Sequence, residues 1–472
     1  MPHKPDTRRS VGRRLTGLLL VGLLATVVLL AVACGSSKLA SSPTSTSTVT
    51  SAKPEGVAPP DTPVGIQARW LVAATAHLPI SDTEVRAHFD ASFLAQVSAA
   101  TLNQVLAGTT EVSVVSIATS QPDALVMIVS TGGMQLQVSL AVDAQGLISG
   151  LLIGPAPLPM PTTWAGVDAA LRSVAPEVHL LVANVTNGSI QPVHGIDPAT
   201  AVPLGSIFKL YVLAALGDAV VSGKVTWNQP LTITAQLKSL PSGELQTKPD
   251  GTQISVQDVA TKMISVSDNT AADMLINLVG RPAVEAALTA TGMADTSRDR
   301  PFLTTREMFG LKLDQWPMLA KQYIAADEAA RRAMLAANVD PAPLPALAEA
   351  GAWTTPREID NIEWFASAND ISRVFISLAA LARQPGLSPI AHVLTLNDGG
   401  LRLDPAEWKT TWFKGGSEPG VLTLAYLATT HTGQSYVVVA LTENPLKPID
   451  ESRAGPAMLS AIKGAFTLAA GS

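Results

Sequence analysis

Ser206 and Lys209 are the two residues of this chain best spaced to do chemistry. They stand in Pro203-Leu204-Gly205-Ser206-Ile207-Phe208-Lys209, at the mouth of an apolar helical run. A serine hydroxyl is a weak nucleophile until a neighbour takes its proton. A lysine at i+3 lies on the same helix face, one turn away. The N-terminus of a helix favours negative charge developing on that oxygen. The pair suits attack on a carbonyl and transfer of its acyl group to the serine. Spacing alone is a weak signal, because Ser460-Ala461-Ile462-Lys463 repeats it. That copy lies within a predicted C-terminal helix, lacks the Pro/Gly turn, and reads as an ordinary amphipathic face.

Two further motifs follow in order. Ser267-Asp268-Asn269 comes 61 residues after Ser206, and Lys414-Gly415-Gly416 comes 147 residues after Ser267. Each alone reads as a turn, a helix cap or a loop bend. The three together, in this order, resemble the class A β-lactamases and related penicillin-recognising serine hydrolases, whose signature is S-x-x-K, S-D-N and K-T/S-G. The surrounding elements agree. Residues 178–185 read as a strand, Asn187-Gly188 as a hairpin turn, 421–429 and 435–442 as strands, and 456–468 as the last helix. The resemblance covers roughly residues 165–472. It implies an α+β fold of the β-lactamase/transpeptidase type, an antiparallel sheet built from both ends of the domain and flanked by helices.

The resemblance also implies roles. Ser206 is the expected nucleophile and Lys209 its proton acceptor, with a pKa pushed down by the Lys414 ammonium and the helix terminus. Ser267 would relay a proton to the leaving group. Asn269 would hold substrate amide groups and bond Lys209, while Asp268 fixes the loop. Lys414 would attract a substrate carboxylate. The backbone N–H groups of Ser206 and Ser417, beside Gly416, would form the oxyanion hole. No cofactor or metal is implied.

Two departures stand out. Gly415 occupies the place of the family's hydroxyl residue, and Ser417 is the candidate to restore that contact. No Glu-x-x-x-Asn deacylation motif is present: Glu358 precedes Asn361 by three residues, and Glu363 precedes Asn369 by six. Without a carboxylate to activate water, an acyl-enzyme persists. The stretch 302–364 is long for the family and reads as a lid or helical insert, with Trp353, Trp364 and Phe365 as candidates to line the cleft.

The positioning framework is ample. Apolar residues make up 47 % of 472 and charged residues 15 %, enough for two cored domains. A net charge of −6 without a basic patch speaks against nucleic acid as a partner. Residues 1–33 read as a signal peptide, with Lys4, Arg8, Arg9, Arg13 and Arg14 ahead of an apolar run and Ala31-Val32-Ala33 before Cys34. Cys34, the single cysteine, resembles the acylated residue of a bacterial lipobox, so the expected location is exported and lipid-anchored at the membrane. Residues 34–62, rich in Ser, Thr, Pro and Ala, read as a disordered tether. Residues 63–154 give helices at 63–78 and 82–106 and then four strands, an α+β layer resembling small domains of the cystatin or nuclear-transport-factor-2 (NTF2) type. His77 and His88 within it read as surface or capping residues. The proline-spaced stretch 155–164 reads as a stiff linker into 165–472. The pairing of the two domains resembles the LpqF-type actinobacterial lipoproteins, with an isomerase-like N-terminal and a β-lactamase-like C-terminal domain. That group implies esterase-like behaviour and weak β-lactamase activity.

Three functions fit: a serine hydrolase of esters or β-lactams, a cell-wall D,D-peptidase acting on peptide, and a β-lactamase-fold sensor without turnover. The anchor is testable by itself. Cys34→Ala should abolish palmitate incorporation and release the protein from the membrane fraction; unchanged incorporation would defeat the lipoprotein reading.

Overall fold

The computed structural model describes residues 57–109, 111–132 and 134–471. The expected signal peptide, Cys34 and most of the tether lie outside the described residues.

Near the N-terminus, Thr62 caps the helix Pro63–Ala74, whose proline fills the first turn where no N–H partner is needed. The stretch expected as one helix over 82–106 is instead three: Asp82–His88, Ala91–Leu94 and Ala99–Leu106. Each restarts at a side-chain cap, on Ser81, Asp90 and Ser98. These local side-chain-to-backbone bonds compete with a continuous helix. The apolar spacing survives the breaks, since Val85, Phe89, Phe93, Val97 and Leu102 all enter one core. Strands Ser113–Ser120, Ala124–Thr131, Met134–Val142 and Ile148–Pro155 complete it as an antiparallel sheet in sequence order. Trp70 lies at the margin of this core, stacked on His88 and donating to Glu84, which also meets His77.

The linker is seated rather than free. Ser460 Oγ donates to the carbonyls of Leu158 (3.2 Å) and Pro159 (2.9 Å). Gly464 lets the chain approach, since a Cβ there would lie 2.6 Å from Pro161 O. Lys463 Nζ donates to Arg402 O at 3.1 Å. The duplicate Ser-x-x-Lys therefore holds chain segments onto the C-terminal helix.

The second sheet runs in the order Trp408–Glu418, Val421–Thr430, Ser435–Glu443, Glu177–Thr186, Ser189–Ile196, each neighbour antiparallel. The first and last parts of this region thus pair side by side. Alternate residues of Ser435–Glu443 serve two cores. Val437, Val439 and Leu441 meet the large helical side. Tyr436, Val438 and Ala440 meet the side carrying helices Trp164–Arg172 and Glu451–Ala470. The last helix begins earlier than expected, because Asp450 caps it and Pro456 is carried inside.

The insert contributes helices Thr305–Leu313, Met318–Ala325 and Glu328–Met334. Thr304 and Glu307 form a capping box at its start. Asp273 accepts from the N–H groups of Thr305 (2.7 Å) and Arg306 (2.9 Å), docking it on the helix Asn269–Val279. Trp353, Trp364 and Phe365 do not line a cleft. Trp364 stacks on Phe208 at 3.7 Å, Trp353 joins the same core, and Phe365 is buried under Arg298. Large aromatic area is worth more in a core than at a wetted site.

Gly464→Val should push the linker off the last helix. Proteolysis within 158–163 should accelerate about fivefold, as expected for a loss of about 1 kcal/mol. Ser460→Ala should act in the same direction, and unchanged cleavage in both variants would show that the docking contributes nothing.

Candidate active site

Ser206 lies in a 3-10 turn, Gly205–Phe208, that runs into the helix Lys209–Val221. Gly205 holds φ +53°, and a Cβ on it would lie 2.8 Å from Ser417 N. Only glycine meets both conditions. Gly416 faces it, where a Cβ would come within 2.2 Å of Leu204 O and 2.5 Å of Ser206 N. The two glycines let the turn that carries Ser206 and the end of the strand Trp408–Glu418 touch backbone to backbone. This brings Ser206 N–H and Ser417 N–H, the expected oxyanion donors, to one place.

Lys209 is fully buried. Its Nζ has four neighbours: Ser267 O at 2.6 Å, Asn269 Oδ1 at 2.7 Å, Ser206 Oγ at 3.1 Å and Ser267 Oγ at 3.1 Å. The carbonyl and the amide oxygen can only accept. They take two N–H bonds. A neutral amine then presents its lone pair to the hydroxyls, which can donate. Asn269 is oriented for this, since its Nδ2 donates to Leu240 O at 3.0 Å. Burial lowers the Lys209 pKa to about 7, against the opposing charges of Asp268 and Asp273. The expected cause, the Lys414 ammonium, is not the one found. Burial also holds Lys414 well below the ordinary lysine value, and Lys209 adds to it.

Ser267 joins the two lysines. Lys414 Nζ donates to Ser267 Oγ at 3.0 Å and to Gly415 O at 2.7 Å. Ser267 sits between helices Val256–Ser265 and Asn269–Val279 at φ +56°, an uncommon backbone state for serine. Its neighbours hold it there. Ser242 Oγ donates to Ser267 O at 2.6 Å. Buried Asp268 accepts from the N–H groups of Glu244 (2.7 Å), Leu245 (2.9 Å) and Ala271 (2.8 Å), which is the loop-fixing part expected of it.

Lys414 lies on the edge strand of the sheet, as expected. Two details differ. A hydroxyl residue at Gly415 would require the Phe413 ring to shift, because a Cβ would lie 2.9 Å from it. Ser417 does not replace that hydroxyl. Its side chain lies beside Glu451 at the start of the last helix, and alternation along the strand puts it on the face opposite Lys414.

One supporting residue escaped the sequence reading. Thr423 Oγ1 donates to Leu204 O (2.7 Å) and Gly416 O (3.1 Å), tying turn to strand. A lone threonine within the apolar run Val421-Leu422-Thr423-Leu424 was the available signal. Of the two candidate carboxylates, Glu358 accepts from Asn361 Nδ2 at 2.8 Å. Glu363 Oε2 accepts backbone N–H groups. Among the described residues no carboxylate bonds Ser206 Oγ or Lys209 Nζ.

With Lys209 as the expected proton acceptor, acylation of Ser206 would need it without its proton. Its rate should rise with pH, reach half its plateau near pH 7, and stay flat above. Labelling rates measured from pH 5 to 9 check this. A rate independent of pH across that range would exclude Lys209 as the proton acceptor.

Residues 165–397 match the model of the beta-lactamase enzyme family. Residues 59–148 match that of the ORF 12 gene product N-terminal region. A comparison with curated proteins returned no match. Among solved structures the chain is similar to a beta-lactamase from Sphaerobacter thermophilus, at 20 % identity over 64 % of this chain and 97 % of that one, with a TM-score of 0.45. It is similar to PBP-A at 18 % identity, over 66 % and 99 %, with a TM-score of 0.42. It is also similar to a beta-lactamase from Chitinophaga pinensis at 18 % identity, over 65 % and 98 %, with a TM-score of 0.45. The family match takes in Ser206, Lys209, Ser267 and Asn269 and ends before Lys414.

Proposed function

We propose that this protein is an exported, lipid-anchored serine hydrolase that forms an acyl-enzyme with esters or β-lactams and releases it slowly. The observation that carries the reading is Lys209 Nζ, fully buried and 3.1 Å from both Ser206 Oγ and Ser267 Oγ. Ser206 Oγ attacks the substrate carbonyl carbon and its proton passes to Lys209. The carbonyl oxygen becomes an oxyanion that the N–H groups of Ser206 and Ser417 stabilise. As the bond to the leaving nitrogen or oxygen breaks, Ser267 gives that atom a proton and Lys209 replenishes Ser267. Asn269 and Lys414 orient the substrate, the latter through a carboxylate. The N-terminal unit, of the cystatin or NTF2 type, serves binding or spacing.

Hydrolysis of the acyl-enzyme needs an activated water. Glu358 and Glu363 are both engaged elsewhere. This supports slow deacylation. It equally favours a second reading, a cell-wall D,D-peptidase of the penicillin-binding type, which shares the motifs and needs no such glutamate.

A chromogenic cephalosporin should give a burst of about one equivalent and then slow turnover, the mark of acyl-enzyme accumulation. A nitrophenyl ester, leaving less bulk in the site, should turn over faster. Ser206→Ala should abolish both the burst and labelling by penicillin. Rapid cephalosporin hydrolysis without a burst would overturn slow deacylation, and no labelling by any serine-directed probe would leave only the sensor reading.

A further inference from the structure

Glu363 is 3 % exposed and its Oε2 accepts two backbone N–H groups, from Gly205 at 3.1 Å and Trp364 at 2.9 Å. Gly205 immediately precedes the nucleophile. The residue before it is held as well, since Leu204 N–H donates to Trp364 O at 2.9 Å and Leu204 O accepts from Thr423. Beside Glu363 lies a second buried carboxylate. Glu418 accepts from Lys312 Nζ at 2.6 and 2.8 Å, and the two side chains are 5 % and 0 % exposed. The Lys312 charge acts on Glu363 too. Lys312 thus pairs with Glu418 and lies near enough to Glu363 for its charge to favour that carboxylate as well.

The placement of the two acids has a common result. Glu363 fixes the turn that carries Ser206 N–H. Glu418 follows Ser417 directly and fixes the end of the strand that carries Ser417 N–H. Both Lys312 and Glu363 come from the long insert.

We infer that Glu363, with the Lys312–Glu418 pair, is a positioning residue that sets the separation of the two oxyanion donors, and that it is not the base for deacylation. This rests on the acyl-transfer reading. A general base needs a free lone pair within reach of the attacking water. Two amides hold Oε2 and fix the direction of the carboxylate, and Glu363 bonds neither Ser206 nor Lys209. Donor placement matters steeply, since the loss of one oxyanion donor costs about 10²–10³ in rate.

The experiment compares Glu363→Gln and Glu363→Ala in the full chain. It measures penicillin acylation and acyl-enzyme lifetime by mass spectrometry, and hydrogen exchange at the Gly205 amide. Glutamine keeps an oxygen for both N–H groups. Glu363→Gln should acylate within a few-fold of the unaltered protein, with the same acyl-enzyme lifetime and a protected Gly205 amide. Glu363→Ala should acylate about 10²-fold more slowly through the rate constant rather than through binding, with the Gly205 amide exposed. Should the alanine variant fail to fold, Glu363→Asp, one methylene short, takes its place. Normal acylation with a lengthened acyl-enzyme lifetime in Glu363→Gln would make Glu363 the base and overturn the inference. Wild-type acylation in Glu363→Ala with Gly205 still protected would also overturn it. A parent protein that no probe labels would defeat the acyl-transfer reading. The Gly205 exchange would still decide whether Glu363 holds the turn.

Discussion

The burial of one amine organises this molecule. Lys209 lies wholly inside, and a lysine charge there is costly unless it is paired or given up. No carboxylate bonds it among the described residues. Its partners are neutral oxygens: a main-chain carbonyl, an amide and two hydroxyls. Every one must be held in place, because a misdirected donor in a dry site costs more than the bond it fails to make. That requirement explains the loop around Ser267 and Asp268, the left-handed backbone of Ser267, and the amide locked against Leu240. It also explains why the helix Asn269–Val279 is buried along most of its first turns.

A second layer follows from the first. In the proposed chemistry the amine serves only if the developing charge on the substrate has somewhere to go. Two main-chain N–H groups from distant parts of the chain have to meet, and only two glycines in contact allow it. Around that contact lie Thr423, Glu363 and the Lys312–Glu418 pair. A buried ion pair is weak support for stability, because desolvation offsets most of its attraction. Its presence beside the strand end makes more sense as a fixture of direction than as a source of stability.

Much of this was legible in the residues. Ser206 and Lys209 could be paired from helical spacing, while Ser267, Asn269 and Lys414 were named only through the resemblance that the three ordered motifs carry. The strands at both ends of the C-terminal region were also readable, because their apolar runs are long and bounded by Asn187-Gly188 and Gly433. What escaped depends on tertiary approach. The breaks in 82–106 are decided by three short polar side chains competing with helix bonds. The core position of Trp353 and Trp364 depends on Phe208 and the insert. The cause of the Lys209 shift needed knowledge of its burial, and the turned-away Ser417 needed the position of Glu451. Ser460 shows the converse, a motif correct in spacing whose surroundings give it a different task.

The sheet order carries one more consequence. Strand Glu177–Thr186 has no partner on its inner side until Ser435–Glu443 arrives, about two hundred and fifty residues later in synthesis. Pairings so distant are among the last to form, because the intervening chain must first surrender its freedom. The Ser206–Lys209–Ser267 cluster draws on neighbours within some sixty residues, whereas Lys414 and Ser417 arrive with the final strands. A growing chain thus holds the residues of the Ser206–Lys209–Ser267 cluster long before it holds the strand that brings Lys414 and Ser417 beside them.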